Sequence, residues 1–222
     1  MKIVDVPQTG NLGLTVTYSG RTGLTRRMKA TTKNPNSSAQ IAQRSILRQC
    51  AQQYDQLTDV QQAAWITAAA GMKSRATLGQ SGPLTGLQLF VKINASLLTI
   101  GAPSVQVPPP VPAPSAMPVT GLVITNAGNT IRLKLTASNS APDGTMLWGC
   151  APENSGVRRV ISPRYLGTLD SPSSGAIDIT AAYTARFGVP PAGSRVFVQV
   201  NTNESGYEGL RYTFSARVPS AS

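Results

Sequence analysis

Hydrophobic and polar positions change rhythm twice along this chain. Over LTVTY (14–18) and LTRRMKA (24–30) they alternate, and SGRTG (19–23) supplies a turn between them, so a β-hairpin is expected. Asn34-Pro35-Asn36 ends the second strand, because a residue before proline avoids the α region. The spacing then becomes helical. Ala42, Ile46, Cys50 and Tyr54 recur at every fourth position and predict one apolar face of a helix over about 38–56, with Arg44 and Arg48 on another face. Thr58 with Gln61, and Thr85 with Gln88, have the form of capping boxes. The first opens a helix through Trp65 to about Ala70; the second opens a helix in which Phe90, Ile93 and Leu97 form the buried stripe.

Beyond residue 119 the alternation returns. In TIRLKLTA, Ile131, Leu133 and Leu135 are expected inside, with Arg132 and Lys134 outside. MLWGC sets Met146, Trp148 and Cys150 on one face, and AIDIT, RVFVQV and LRYTFSARV continue the pattern. NAGN (126–129) and NESGYEG (203–209) read as turns. Around seven short strands in this span predict a β-sandwich of immunoglobulin or fibronectin type III kind. Trp65 and Trp148 are both expected in cores.

Between the two patterns lies APSVQVPPPVPAPSAMPV, with seven prolines in eighteen positions. Proline fixes φ and lacks a donor, so this stretch is expected to be an extended spacer. The predicted class is therefore a two-part α+β chain: an extended arm and basic hairpin over 1–36, a helical domain over 37–101, a Pro-rich linker over 102–118, and a sandwich over 119–222. The helical part is small for a free-standing core and its hairpin has open edges, so packing against another chain is expected.

Charge adds a polarity to this layout. The net charge is +11 although 13% of residues are charged. Residues 1–100 hold eleven Lys/Arg against three Asp, and residues 101–222 hold nine against six Asp/Glu. The segment Arg21 to Cys50 has seven cations and no acid: Arg21, Arg26, Arg27, Lys29, Lys33, Arg44 and Arg48. Such a run calls for an anionic partner, an acidic protein surface or nucleic acid. Phosphate neutralisation by five to seven of these groups would give sequence-blind, steeply salt-dependent binding. No aromatic interleaves with the cations, which argues against a platform that stacks single-strand bases. The helix DVQQAAWITAAA carries no Arg or Lys and makes a poor recognition helix.

Catalytic chemistry finds little to work with. The chain has no histidine, which removes imidazole general bases, Ser-His-Asp and Cys-His sites and most zinc sites. Cys50 and Cys150 are one per half and read as two unrelated buried thiols. Asn201, Asn203, Glu204 and Glu208 crowd one loop, without the regular spacing of a calcium site. GQSGPLTG is glycine-rich but lacks the GK[ST] of a phosphate loop. No catalytic residue, metal or cofactor is expected. Surface-binding loops in the second half would use Arg158, Arg159, Arg164, Tyr165 and Tyr207. The start MKIVDVPQTGN has no apolar signal core, and no stretch reaches 18 apolar residues, so neither secretion nor membrane insertion is expected.

Five motifs carry a resemblance. They are the glycine-flanked basic hairpin from Gly10 to Arg27, N-P-N-S from Asn34 to Ser37, Q-x-x-x-R from Gln40 to Arg44, L-T-x-x-Q-x-x-A-W from Leu57 to Trp65, and G-x-x-L-F from Gly86 to Phe90. Together they resemble an uncharacterised family of bacterial, prophage and phage genomes, in which an immunoglobulin-like C-terminal domain commonly follows. The resemblance implies a non-enzymatic virion structural protein, a minor capsid, decoration or connector component, made in the bacterial cytoplasm and partnered by copies of itself or other virion proteins. Two alternatives stay open: a sequence-nonspecific nucleic-acid-binding packaging protein, and an adhesin-like surface-binding module.

Overall fold

A computed structural model describes residues 9–20, 23–30, 34–74, 81–113, 117–137, 144–169 and 175–220. Helices and antiparallel sheets are both present, so the chain is of mixed α+β class. Packing divides it into two units, Met1–Val91 with Gln106–Pro108, and Lys92–Val105 with Pro109–Ser222.

The first unit begins with β1 (Gly10–Leu12), β2 (Thr15–Gly20) and β3 (Gly23–Met28), an antiparallel sheet in that order. Sequence alternation anticipates two of these strands. β1 is three residues long, too short for a period of two to register. It turns into β2 through Gly13 and Leu14, and Gly13 takes φ 55°, the positive value that a two-residue hairpin loop requires at its first position.

Helix α1 (Ser38–Asp55) starts where the Ser37 hydroxyl accepts the Gln40 N–H at 3.4 Å. Its expected apolar face is covered only toward the C-terminus. Cys50 is buried, Ile46 and Tyr54 are half-buried, and Ala42 is exposed. Helix α2 (Asp59–Ala70) has the full capping box, with Thr58 Oγ1 accepting from the Gln61 backbone at 3.3 Å and Gln61 Oε1 accepting from the Thr58 backbone at 3.0 Å. Thr85 and Gln88 make the same reciprocal pair, at 3.2 and 3.3 Å, ahead of α3 (Gly86–Thr99). Phe90 meets Trp65 and Tyr54 edge-on, with centroids 5.1 and 5.4 Å away, and Leu57, Ala69 and Leu89 are buried in the same unit. Gly86 sits so close to α1 and α2 that a Cβ would lie 2.9 Å from both Tyr54 Oη and Ile66 Cγ1. The G-x-x-L-F motif is thus a packing motif: a gap at Gly86, then Leu89 and Phe90 filling the core.

The second unit is built on two antiparallel sheets. One runs β4 (Val119–Ala127), β5 (Thr130–Ala137), β8 (Ala176–Asp178); the other has the order β12 (Tyr212–Arg217), β9 (Arg195–Asn201), β6 (Met146–Gly149), β7 (Arg164–Thr168). Leu133, Leu135, Leu147, Val196, Val198 and Val200 belong to one shared core at 0–1% exposure. Each such side chain stabilises by roughly 1.5–3 kcal/mol. A short hairpin, β10 (Asn203–Glu204) with β11 (Tyr207–Glu208), lies between β9 and β12.

A helix that alternation did not foretell, α4 (Thr180–Phe187), follows β8. Its signals are local. Asp178 accepts the Thr180 N–H at 2.9 Å, and Gly188 at φ 76° ends it. Hydrogen bonds from Thr180, side chain and backbone, hold the Asp178 carboxyl below its usual range. Tyr183, fully buried, donates to the Cys150 carbonyl at 2.8 Å.

Two expectations need correction. Leu147, not Trp148, points into the shared core. Trp148 is half-buried on the outer face of its sheet, with its indole N–H donating to Asn201 Oδ1 at 3.0 Å. The proline stretch is also no free spacer. Asn94 and Val105 bond reciprocally at 2.7 and 3.2 Å, Trp65 Nε1 donates to the Gln106 carbonyl at 2.8 Å, and the Tyr207 hydroxyl donates to the Pro109 carbonyl at 3.2 Å. Proline removes donors but leaves every carbonyl as an acceptor, and side chains with N–H or O–H tips hold the stretch by those carbonyls.

Candidate functional site: the basic N-terminal sheet and the first helix

Arg26 and Arg27 stand on β3 and Lys29 just beyond it; Arg44 and Arg48 stand on α1, and all five are exposed. Arg21 and Lys33 lie outside the described residues. The five do not form one uniform anion cradle. Arg44 is turned back onto the chain: its Nη2 donates to Asn34 Oδ1 at 2.7 Å and its Nη1 to Asn36 Oδ1 at 3.1 Å. Asn36 takes φ 48°, a left-handed conformation that asparagine tolerates better than most residues. The two motifs N-P-N and Q-x-x-x-R are therefore one device, a guanidinium fork clasping two amides that set the entry into α1. Arg44, expected as an anion ligand, is a clasp.

The sheet cations are arranged by strand register. Thr17 pairs with Arg26, and Arg26 Nε donates to Thr17 Oγ1 at 3.3 Å. Arg27 belongs to the opposite face and lies 5.6 Å over the Tyr18 ring. The expectation that no aromatic accompanies the cations is corrected here: diagonal neighbours on antiparallel strands meet although they are nine positions apart in sequence.

Apolar side chains share this surface. Leu12, Leu14, Leu24 and Met28 are 50–73% exposed, Tyr18 is also open, and Ile41 and Leu47 are exposed on α1. Among the described residues of the sheet, no large apolar side chain is buried. Exposed aliphatics interleaved with cations, with no acid from Val6 to Tyr54, describe a surface that binds by contact and charge together.

The candidate loops of the second unit are divided. Arg158 and Arg159 are exposed between β6 and β7, and Arg164 is exposed on β7. Tyr165 and Tyr207, expected at a binding surface, are half-buried and each is tied to the chain through its hydroxyl. Tyr165 packs edge-on against Trp148 at 5.3 Å and donates to the Thr99 carbonyl at 3.4 Å. Tyr207 holds Pro109, and burial pushes both phenols up. The NESGYEG loop is docked as well. Asn203 Nδ2 donates to Ser96 Oγ at 3.0 Å, Ser96 donates to Glu208 Oε1 at 3.0 Å, and a Cβ on Gly206 would lie 2.8 Å from the Ile93 carbonyl oxygen. Asn201, Asn203 and Glu208 are thus occupied by neighbours, and among the described residues no group of three or more His, Cys, Asp or Glu could hold a metal.

Sequence reasoning missed Arg211, whose guanidinium lies 4.0 Å over the Trp148 ring; the LRYTF alternation hides it, since its partner is on a distant strand. It also missed a groove of 510 Å³ lined by Val111, Met117, Tyr207, Leu210 and Tyr212 with Glu208 at its wall. Cys50 and Cys150 are free and buried, and burial raises both thiols. Among the described residues, no helix is long and apolar enough to cross a membrane. No family model, curated protein or solved structure matches the chain.

Proposed function

We propose that this chain is a non-enzymatic structural component of a phage particle, anchored by its basic N-terminal sheet and α1 and presenting a fibronectin III-like sandwich. The observation that carries the reading is the sheet itself: three strands whose large apolar side chains stay in solvent, with Arg26 and Arg27 and, among the described residues of the sheet, no acid. Leu12, Leu24 and Met28 are exposed together on one short sheet, and a grouped apolar surface of this kind supports docking against a partner. The motif resemblance supplies the particle. The second unit supports the sandwich: lettered A, B, C, C′, E, F and G in chain order, its seven main strands fall into A-B-E and C′-C-F-G sheets, the distribution of fibronectin III domains.

The test is to produce particles from cells carrying the gene and to quantify the chain through a density gradient. Comigration with particles at fixed stoichiometry is expected, surviving about 0.5 M salt because apolar contact is not screened. Absence from the particle band overturns the proposal. Submicromolar, steeply salt-dependent binding of random-sequence DNA by the full chain would favour the packaging alternative.

A further inference from the structure

The second unit keeps a core-facing aromatic in the open. Strand alternation sets Tyr212 on the face of β12 that carries Phe214 and Ala216, and both of those pack against the core. Tyr212 is nevertheless 45% exposed, and it lines the 510 Å³ groove together with Val111, Leu210 and the half-buried Met117. Both walls of the groove are fixed. Tyr207 holds the proline stretch by the Pro109 carbonyl. The Gly209 N–H donates to the Thr202 carbonyl at 2.8 Å, and a Cβ on Gly209 would lie 2.5 Å from Thr202 Oγ1. The groove is therefore preformed, and its volume falls within the range of about 300–1,000 Å³ found for ligand sites. In a chain of net charge +11, its lining holds Glu204 and Glu208 and, among the described residues, no Lys or Arg. The Ser96 hydroxyl steadies Glu208 through Oε1. Oε2 lies 4.0 Å from Arg211 Nη2, beyond hydrogen-bond length, and Arg211 is drawn over the Trp148 ring.

We infer that this groove takes an extended segment of another protein with the pattern aliphatic–x–Lys. Alternate residues of an extended chain point the same way, so the aliphatic side chain and the lysine enter together. Val111, Met117 and Leu210 cover the aliphatic group. The lysine stem lies along the Tyr212 ring, and its ammonium meets Glu208 Oε2. Nucleic acid is a poorer occupant, because the carboxylates repel phosphate. A second copy is poorer too, since the chain's own Leu24-Thr25-Arg26 is built into β3 and paired with β2. The site belongs to the second unit and owes nothing to the anchoring surface.

The test uses the full chain, labelled with ¹⁵N and titrated with two synthetic heptapeptides. One is Gly-Ser-Leu-Thr-Lys-Ser-Gly and the other carries Glu in place of Lys. Shifts centred on the Gly209, Leu210 and Tyr212 amides are expected, with the Lys peptide bound roughly fivefold more tightly. Glu208→Gln, which keeps an acceptor for Ser96, should erase that preference. Leu210→Ser changes a side chain that is 78% exposed, so the fold should persist while the Lys peptide binds about fivefold more weakly. Equal response to both peptides, no response, or a preference that persists in Glu208→Gln overturns the inference. Butylamine that matches the Lys peptide in shifts and affinity overturns it in favour of a small amine. Shifts of the same amides that grow with protein concentration alone assign the groove to a second copy and overturn it as well.

Discussion

Two antiparallel sheet systems in this chain use similar strands and differ in what lies behind them. In the second unit, Leu133, Val196 and Val198 are fully buried in a core shared by two sheets. In the N-terminal sheet, Leu12, Leu24 and Met28 stand in solvent. Both are paired in antiparallel register, so the kind of pairing does not distinguish them. The difference lies in the apolar area withdrawn from water, and a sheet that withdraws so little gains its remaining stability from whatever covers it.

That contrast is broken most strongly in the core. Leu133→Ala should cost about 2–5 kcal/mol in the second unit, read as lost hydrogen-exchange protection there. Equal loss in the N-terminal sheet would show that the two are not separate in stability. Gly206→Ala comes next. Its φ of 89° and the nearby Ile93 carbonyl should make the change cost about 2–3 kcal/mol, loosening the β10–β11 hairpin first. Tyr183→Phe should cost about 1–2 kcal/mol, since the buried Cys150 carbonyl loses its donor.

The same phenol gives a pH signature. Burial raises its pKa in the folded state, so its contribution is complete below the unfolded tyrosine value of about 10 and is lost as pH rises through that value toward the folded one. Urea midpoints measured from pH 8 to 11 should fall less steeply in Tyr183→Phe than in the parent. At the small end, Arg44→Ala should cost under about 1 kcal/mol, because the clasp is exposed, while speeding amide exchange at the start of α1. The double change Leu24→Ser with Met28→Ser should alter the free chain by no more than about 0.5 kcal/mol, yet abolish comigration with particles. A large loss of stability in the free chain would mean that these side chains already have cover.

Features spanning a few residues were legible in the sequence. Both capping boxes, the stripe of Phe90, Ile93 and Leu97, and the inward positions of the TIRLKLTA strand depend on neighbours along the chain. What escaped depends on neighbours in space. Arg44 reads as a free cation until Asn34 and Asn36 come round to meet it. Tyr207 reads as an exposed tip until Pro109 accepts its proton, and Trp148 leaves the core because Leu147 takes that side of a four-residue strand. The basic surface could be located from charge alone, but its division between the Arg44 clasp and the Arg27 ring contact required the register.

The way each turn is built also settles where this protein can lengthen. The β4–β5 loop is the pair Gly128 and Asn129, both at positive φ, and a side chain on Gly128 would meet nothing within 4 Å. Residues inserted there displace no neighbour, whereas an insertion at Gly206 would have to push aside Ile93. A peptide grafted for display belongs in the first loop, and natural length variation should accumulate there while the second stays fixed.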